Sequence, residues 1–204
     1  MSAGNTDPFV GRTVLGNYLI EAPIGSGAMG TIYRARHRSL GRMVAVKVLR
    51  GHLVEDQNER KRFHDEAEAV ARLTHPNVVT ILDFGMTEEN SPCIVTEFVA
   101  GETLLDIVET EGPIEPWRAT RLIQRALSAL IEAHAMGIVH RDIKSDNIMV
   151  QRLRDGREQI KLVDFGISLV EGKPEEQSGY IFGTPLYMSP EQCRGKRPDN
   201  RADL

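Results

Sequence analysis

The chain has 204 residues, 41% of them hydrophobic and 26% charged, and 25 Lys and Arg against 29 Asp and Glu leave a formal net charge of −4. That balance suits one large domain or two small lobes, excludes a disordered chain, and argues against nucleic acid held on a basic surface. No apolar run approaches the ~18 residues of a membrane span, no N-terminal signal segment is visible, and the two cysteines, Cys93 and Cys193, read as reduced thiols of a cytoplasmic protein.

In chain order, residues 1–17 are polar and read as a loose leader. Tyr18–Ile24 is strand-like and runs into a glycine cluster; Thr31–Ala35 and Met43–Leu49 alternate as two further strands. Glu59–Leu73 carries Phe63, Ala67 and Val70 at helical spacing, and His75-Pro76-Asn77 stops it. Val78–Phe84 and Cys93–Val99 read as strands joined by a turn. Beyond Gly101 the pattern turns helical, with a short helix over Thr103–Glu109 and a long one from Pro116 to a stop at Gly137. Its apolar face is expected to carry Ile123, Leu127, Leu130 and His134. A strand-rich half followed by a helix-rich half implies a two-lobed α+β fold, with its junction near Thr96–Gly101.

Gly25-Ser26-Gly27-Ala28-Met29-Gly30 matches G-x-G-x-x-G, a weak signal alone that also fits glycines in a hairpin. A strand rather than a helix follows, which excludes a Rossmann turn, and the Gly-Lys-Ser/Thr of Walker A is absent. What remains beside the plain hairpin is a glycine loop whose backbone N–H groups approach phosphates. In the next strand, Val44, Val46 and Val48 share one face while Ala45 and Lys47 share the other. A lysine there needs an anionic partner. Glu66 lies on the face of Val70 and Leu73, whereas Glu68 is about 200° of rotation away, so Glu66 is the partner expected.

The run His140-Arg141-Asp142-Ile143-Lys144-Ser145-Asp146-Asn147 follows the long helix, and Asp164-Phe165-Gly166 comes after an apolar strand. Between them, Asp155-Gly156 signals a two-residue hairpin turn. Such a turn sets Arg154 opposite Arg157 and, carried down the ladder, Asn147 opposite Asp164. An amide oxygen beside a carboxylate is a hard-oxygen site suited to magnesium bound with phosphates.

Gly25–Gly30, Val44–Lys47, Glu66, His140–Asn147, Asp164–Gly166 and Ser189-Pro190-Glu191 together, and in this order, resemble the eukaryotic-type protein kinases, with the flavour of their bacterial serine/threonine branch. The resemblance runs from Tyr18 to the last residue and implies an N-lobe over 18–98, an antiparallel sheet with one main helix, and a helical C-lobe over 99–204. It implies ATP and Mg²⁺ as cofactors and proteins as substrates, with self-association for autophosphorylation. By the same resemblance Gly25, Gly27 and Gly30 cover the phosphates, and Ile32, Ala45 and Met149 sandwich the adenine. Thr96 falls at the gatekeeper position, and Glu97 to Val99 offer backbone hydrogen bonds to adenine. Lys47, held by Glu66, grips the phosphates; Asp142 accepts the substrate proton; Lys144 steadies the γ-phosphoryl group; Asn147 and Asp164 hold magnesium. Val70, Ile81, His140 and Phe165 would stack as a spine.

Lys144 and Gly183-Thr184-Pro185 match the serine/threonine pattern, with Thr184 expected against Asp142 and Lys144. Arg141 is the family's receiver for a phosphate on the segment after Asp164; Ser178 is the expected site, with Tyr180 behind it, against the plainer reading of a polar loop. Ser189 stands where alanine is commoner. Three readings stay open: an active kinase, a non-catalytic ATP-binding scaffold, and a piece cut at the start of a core helix near Arg201–Leu204.

Overall fold

Alternation of side chains settles the first half of the fold. The structure, a computed structural model, describes residues 7–27, 29–51, 56–165, 185–196 and 198–204. Contacts gather the chain into two units, one with residues up to His64 plus Ile81–Phe98, the other with Asp65–Thr80 plus Val99–Leu204. The break within the first helix differs from a simple division at residue 98.

The first unit is a six-stranded antiparallel sheet. Strands β1 (Thr13–Val14), β2 (Tyr18–Gly27), β3 (Gly30–His37), β4 (Met43–Leu49), β5 (Ile81–Met86) and β6 (Pro92–Glu97) lie in the order β1-β2-β3-β4-β6-β5. Val44, Val46 and Val48 of β4 are buried with Tyr18, Ile20, Tyr33, Ala35, Cys93 and Val95. β-branched side chains at every second position of β4 pack on that face. Pro23, which has no N–H to donate, lies at a bulge in β2.

Residues 7–17 are no loose leader. Val14 joins the core, and Phe9 and Leu15 pack against it. Gly11 N donates to Ile20 O at 2.9 Å, and Ile20 N returns the bond to Arg12 O at 2.9 Å. The Tyr33 hydroxyl donates to Asp7 Oδ2 at 3.1 Å, while the Phe9 and Tyr33 rings lie 5.9 Å apart. Burial, seconded by that carboxylate, pushes the Tyr33 hydroxyl pKa up to about 12. The polar composition hid three apolar anchors spaced along an irregular segment, which carries no period to read.

Helix α1 (Gln57–Ala71) opens with Asp56 Oδ1 accepting from Glu59 N at 2.8 Å, and buries Phe63, Ala67 and Val70. In the second unit, α2 (Leu104–Glu111) is capped by Thr103 in a reciprocal box with Asp106. Strands β7 (Glu102–Thr103), β8 (Ile148–Arg152) and β9 (Glu158–Leu162) form a small antiparallel sheet. The expected strand over Val78–Phe84 begins only at Ile81, because its first residues serve β9 instead. Val79 N donates to Leu162 O at 2.9 Å, Leu162 N to Asn77 O at 2.8 Å, and the Asn77 amide to Ile160 O at 2.9 Å.

Helix α3 (Pro116–Ala135) buries Leu122, Ala126, Ala129, Leu130 and Ala133. Ile123 and Leu127 are partly exposed and Ile131 is 70% exposed, so the buried stripe is rotated from the expected one. Small alanines carry the contact, letting the helix lie close to its neighbours. The guanidinium of Arg118 bonds both oxygens of Glu158 and, at 2.7 Å, Glu111, tying α3 to β9 and α2.

Gly30 faces Leu49 across the β3–β4 ladder, and a Cβ there would lie 2.1 Å from Val48 O. Gly30→Ala must part the two strands, at about 1–3 kcal/mol, lowering the thermal midpoint by roughly 2–4 °C per kcal/mol. A Cβ on Gly27 meets nothing within 4 Å, so Gly27→Ala should leave the midpoint unchanged. Equal midpoints for the two variants in a thermal melt would refute this packing.

Candidate active site

The first unit contributes a surface on the sheet face opposite its core. Gly25, Ile32, Lys47 and Ile94 form one row across β2, β3, β4 and β6, and Ala45 lies in the next row beside Thr96. Gly27 pairs with Gly30 where β2 meets β3. Ala45 and Lys47 are half-buried, as alternation with the buried valines requires. Glu97 ends β6 opposite Val44. On α1, Glu66 is half-buried, while Glu68 forms an exposed pair with Arg72 at 2.6 Å.

The second unit carries a loop, 138–147, whose side chains lock one another. Asp142 Oδ2 receives Lys144 Nζ at 2.9 Å and Asn147 Nδ2 at 3.0 Å. Asn147 Nδ2 also donates to Asp142 O at 2.8 Å, and Asn147 N to Lys144 O at 3.0 Å. The amide nitrogen of Asn147 is thereby spent on Asp142, which leaves its side-chain oxygen to accept. Met149 lies on β8 between Thr103 and Lys161.

His140 is buried at the centre of this loop. Its Nε2–H donates to Val163 O at 3.0 Å, and its Nδ1 accepts from Asp142 N at 3.3 Å. A carbonyl can only accept, so the ring is the neutral Nε2–H form. Burial holds its pKa below the ordinary imidazole value. The Phe165 ring lies 4.5 Å away; of the four expected spine residues, Val70, His140 and Phe165 fall within this unit and Ile81 in the other.

The hairpin register differs by one residue from expectation. Ile148 pairs with Leu162 and Arg152 with Glu158, and Leu153 N donates to Arg157 O at 2.7 Å. The connection therefore has three residues, 154–156, with Gly156 at φ 81° and Asp155 Oδ1 accepting from Arg157 N at 3.0 Å. The aspartate side chain extends the turn, and a left-handed glycine closes it. Asn147 consequently faces Val163, which donates to Asn147 O at 3.0 Å, and Asp164 comes one residue later. Asp164 takes φ 63° and Arg141 φ 67°, two of four non-glycine residues with positive φ among those described. Left-handed backbone of this kind concentrates at functional sites.

Asp203 went unread in the sequence as a site residue. Its buried carboxylate accepts from His140 N at 2.8 Å, Arg141 N at 2.7 Å and His134 Nε2 at 2.8 Å. Residues 200–203 form a 3-10 turn rather than the first turn of an α-helix. Ser189 caps the short helix α4 (Pro190–Cys193) in a reciprocal box with Gln192, and the Ser-x-x-Gln spacing was the available signal. Arg141 Nε is buried with no hydrogen-bond partner among the described residues. Gly166, Ser178, Tyr180, Gly183 and Thr184 lie outside the described residues.

The second unit thus gathers a carboxylate, a lysine and an amide next to a neutral buried histidine. Residues 18–204 match the protein kinase domain family. The chain belongs to that family. It is 43% identical over its whole length to the serine/threonine-protein kinase pkn3 of Myxococcus xanthus, of which it spans 38%. Against PknB of Mycobacterium tuberculosis it is 42% identical over 92% of the chain and 30% of that protein. The chain thus spans less than two fifths of these relatives. The solved kinase domain of PknI from M. tuberculosis superposes with a TM-score of 0.73 and 28% identity, over 95% of this chain and 71% of that one. Rad53 solved in complex with AMP-PNP superposes with a TM-score of 0.72 and 28% identity, over 90% of this chain and 44% of that one.

Removing the Asp203 carboxylate strands three donors, one buried and two part-buried. Asp203→Ala should cost about 3–5 kcal/mol in chemical denaturation, against less than about 1 kcal/mol for the exposed Arg72→Ala. Similar losses from both variants would deny Asp203 its anchoring role. Because the folded pKa of His140 is depressed, its neutral state contributes stability above the unfolded value of about 6.5. That stability is lost as pH falls from there towards the folded value. Nitrogen-edited NMR should show the His140 ring still neutral at pH 6; an imidazolium there would overturn the tautomer.

Proposed function

We propose that the protein is an ATP-dependent serine/threonine kinase acting on protein hydroxyls, itself among its substrates through self-association. The observation that carries this reading is the state of Asp142. Its Oδ2 is tied by Lys144 and Asn147, while no described residue bonds its Oδ1. A carboxylate held by one oxygen offers the other to a hydroxyl proton. The substrate oxygen attacks the γ-phosphorus, the bond from that phosphorus to the β–γ bridging oxygen breaks, ADP leaves, and Asp142 takes the proton. Lys144 lies within reach of Asp142 and would meet the negative charge of the transferring group.

Gly25, Gly27 and Gly30, with Ile32, Ala45 and Lys47, are assigned to the nucleotide, with Glu66 as partner of Lys47. Thr96, Glu97, Val99 and Met149 are assigned around the adenine. Rad53, solved with an ATP analogue, lends support to this assignment. Magnesium fits the donors present: Asn147 keeps its amide oxygen for accepting, and Asp164 adds a carboxylate one residue beyond the paired Val163. Two hard oxygens suit an ion that shares its shell with phosphates and water, and such an ion would offset phosphate charge. The buried Arg141 Nε, with no described partner, supports Arg141 as receiver of a phosphate at Ser178. The free thiols of Cys93 and Cys193 favour a cytoplasmic setting.

Asp142→Asn should lower kcat by about 10²–10⁴-fold with nucleotide binding retained. Asp164→Ala should abolish Mg·ATP-dependent turnover. Radiolabelled phosphate transfer to a generic protein substrate measures both, and near-normal turnover by either variant rules out the roles given.

A further inference from the structure

The backbone of Arg141, the residue before Asp142, is held at both of its polar groups. Arg141 N donates to Asp203 Oδ1, and Arg141 O accepts from Gln192 Nε2 at 2.8 Å. Gln192 is buried, and its other amide atom is also committed, since Oε1 accepts from Ser189 N at 3.0 Å. Ser189 Oγ in turn accepts from Gln192 N at 3.5 Å. The capping box therefore fixes the rotation of the Gln192 amide and leaves its N–H₂ directed at Arg141. A second link runs in parallel, between Ser145 Oγ and the Tyr187 hydroxyl at 3.0 Å.

We propose that Gln192 is a positioning residue, acting through the Arg141 carbonyl to hold Asp142 in its working orientation. The proposal rests on the kinase reading of Asp142. Arg141 occupies a left-handed conformation that a non-glycine residue does not adopt unaided. Bonds to both polar groups of that residue are what hold it there. Only a side chain of this length with one acceptor and one donor can serve Ser189 N and Arg141 O together. Glutamate keeps the acceptor but sets a carboxylate oxygen against a carbonyl oxygen. Methionine keeps the volume and loses both bonds. Gln192 thus couples the order of helix α4 to the catalytic aspartate, and Ser189, in place of alanine, is the cap that makes the coupling rigid.

The test uses the full-length protein with Gln192→Met, Gln192→Glu and Ser189→Ala. Both Gln192 variants remove the hydrogen bond to the Arg141 carbonyl and should lower kcat about tenfold, while KM for ATP moves less than twofold. Gln192→Glu should fall at least as far as Gln192→Met, and Ser189→Ala between wild type and Gln192→Met. Amide hydrogen exchange over residues 140–147 should quicken roughly fivefold in Gln192→Met, with exchange over 116–135 unchanged. Wild-type kcat and wild-type exchange in Gln192→Met would overturn the proposal, as would exchange that quickens across both stretches alike. If the wild-type protein transfers no phosphoryl group, the kinase reading fails, and the exchange arm still decides whether Gln192 holds the loop.

Discussion

The second unit depends on one buried carboxylate. Asp203 accepts from two consecutive backbone N–H groups and one imidazole. A buried charge is tolerable only when its lone pairs are filled, and two buried amides are tolerable only when they find an acceptor. Each side of this contact needs the other. The consequence is directional. Arg141, with its N–H held there, is left-handed, and Asp142 after it bonds Lys144 and Asn147. Asn147 then aligns with Val163, and through β9 the ladder reaches Asn77 and Val79. One acid thereby orders residues spread over more than a hundred positions of sequence.

The two units solve different problems. The first is held by apolar area, with valines and tyrosines on one sheet face and the chain from Asp7 laid against them. Its opposite face is left for a small alanine, a lysine and glycines. The glycine strands divide their roles: at Gly30 backbone lies against backbone and allows no Cβ, while around Gly27 there is open space. The base of the loop is therefore fixed, while Gly27 has room around it. The second unit orients polar groups, so hydrogen bonds rather than area determine where its side chains point. Neutral His140 serves this purpose, because an imidazolium could not accept the Asp142 amide bond on Nδ1.

Much of this was legible beforehand, and the failures share a cause. Periodic features read correctly: β4 over Met43–Leu49, the buried Phe63, Ala67 and Val70, and the start of α3 at Pro116. The family motifs named the candidate residues. Misreadings occurred where a single side-chain bond or an irregular segment decides the outcome. Asp155 capping Arg157 N lengthened the hairpin by one residue and moved Asp164 off Asn147. Val78 and Val79 read as the opening of a strand because they are apolar, yet β9 claims their backbone. Residues 7–17 have no period, so their three anchors were invisible. The inner stripe of α3 is rich in alanine, so bulkier Ile123 and Leu127 drew the reading to the wrong face. Asp203 is a contact across more than sixty residues, which local pattern cannot show.

The strain in the loop follows from the same contacts. Arg141 and Asp164 both hold left-handed backbone that side chains with a Cβ disfavour by roughly 1–2 kcal/mol each. Such a conformation persists only where surrounding bonds determine it more strongly than local preference opposes it. At Arg141 those bonds are known: Asp203 on its N–H and Gln192 on its carbonyl, each from a different stretch of chain. Weakening either lets the residue relax to an ordinary conformation, and the first side chain to move would be the aspartate immediately after it. The conformation around Asp142 is thus not a property of the loop sequence His140–Asn147 alone. It belongs to the loop together with Ser189, Gln192 and Asp203, whose bonds occupy both polar groups of the Arg141 backbone.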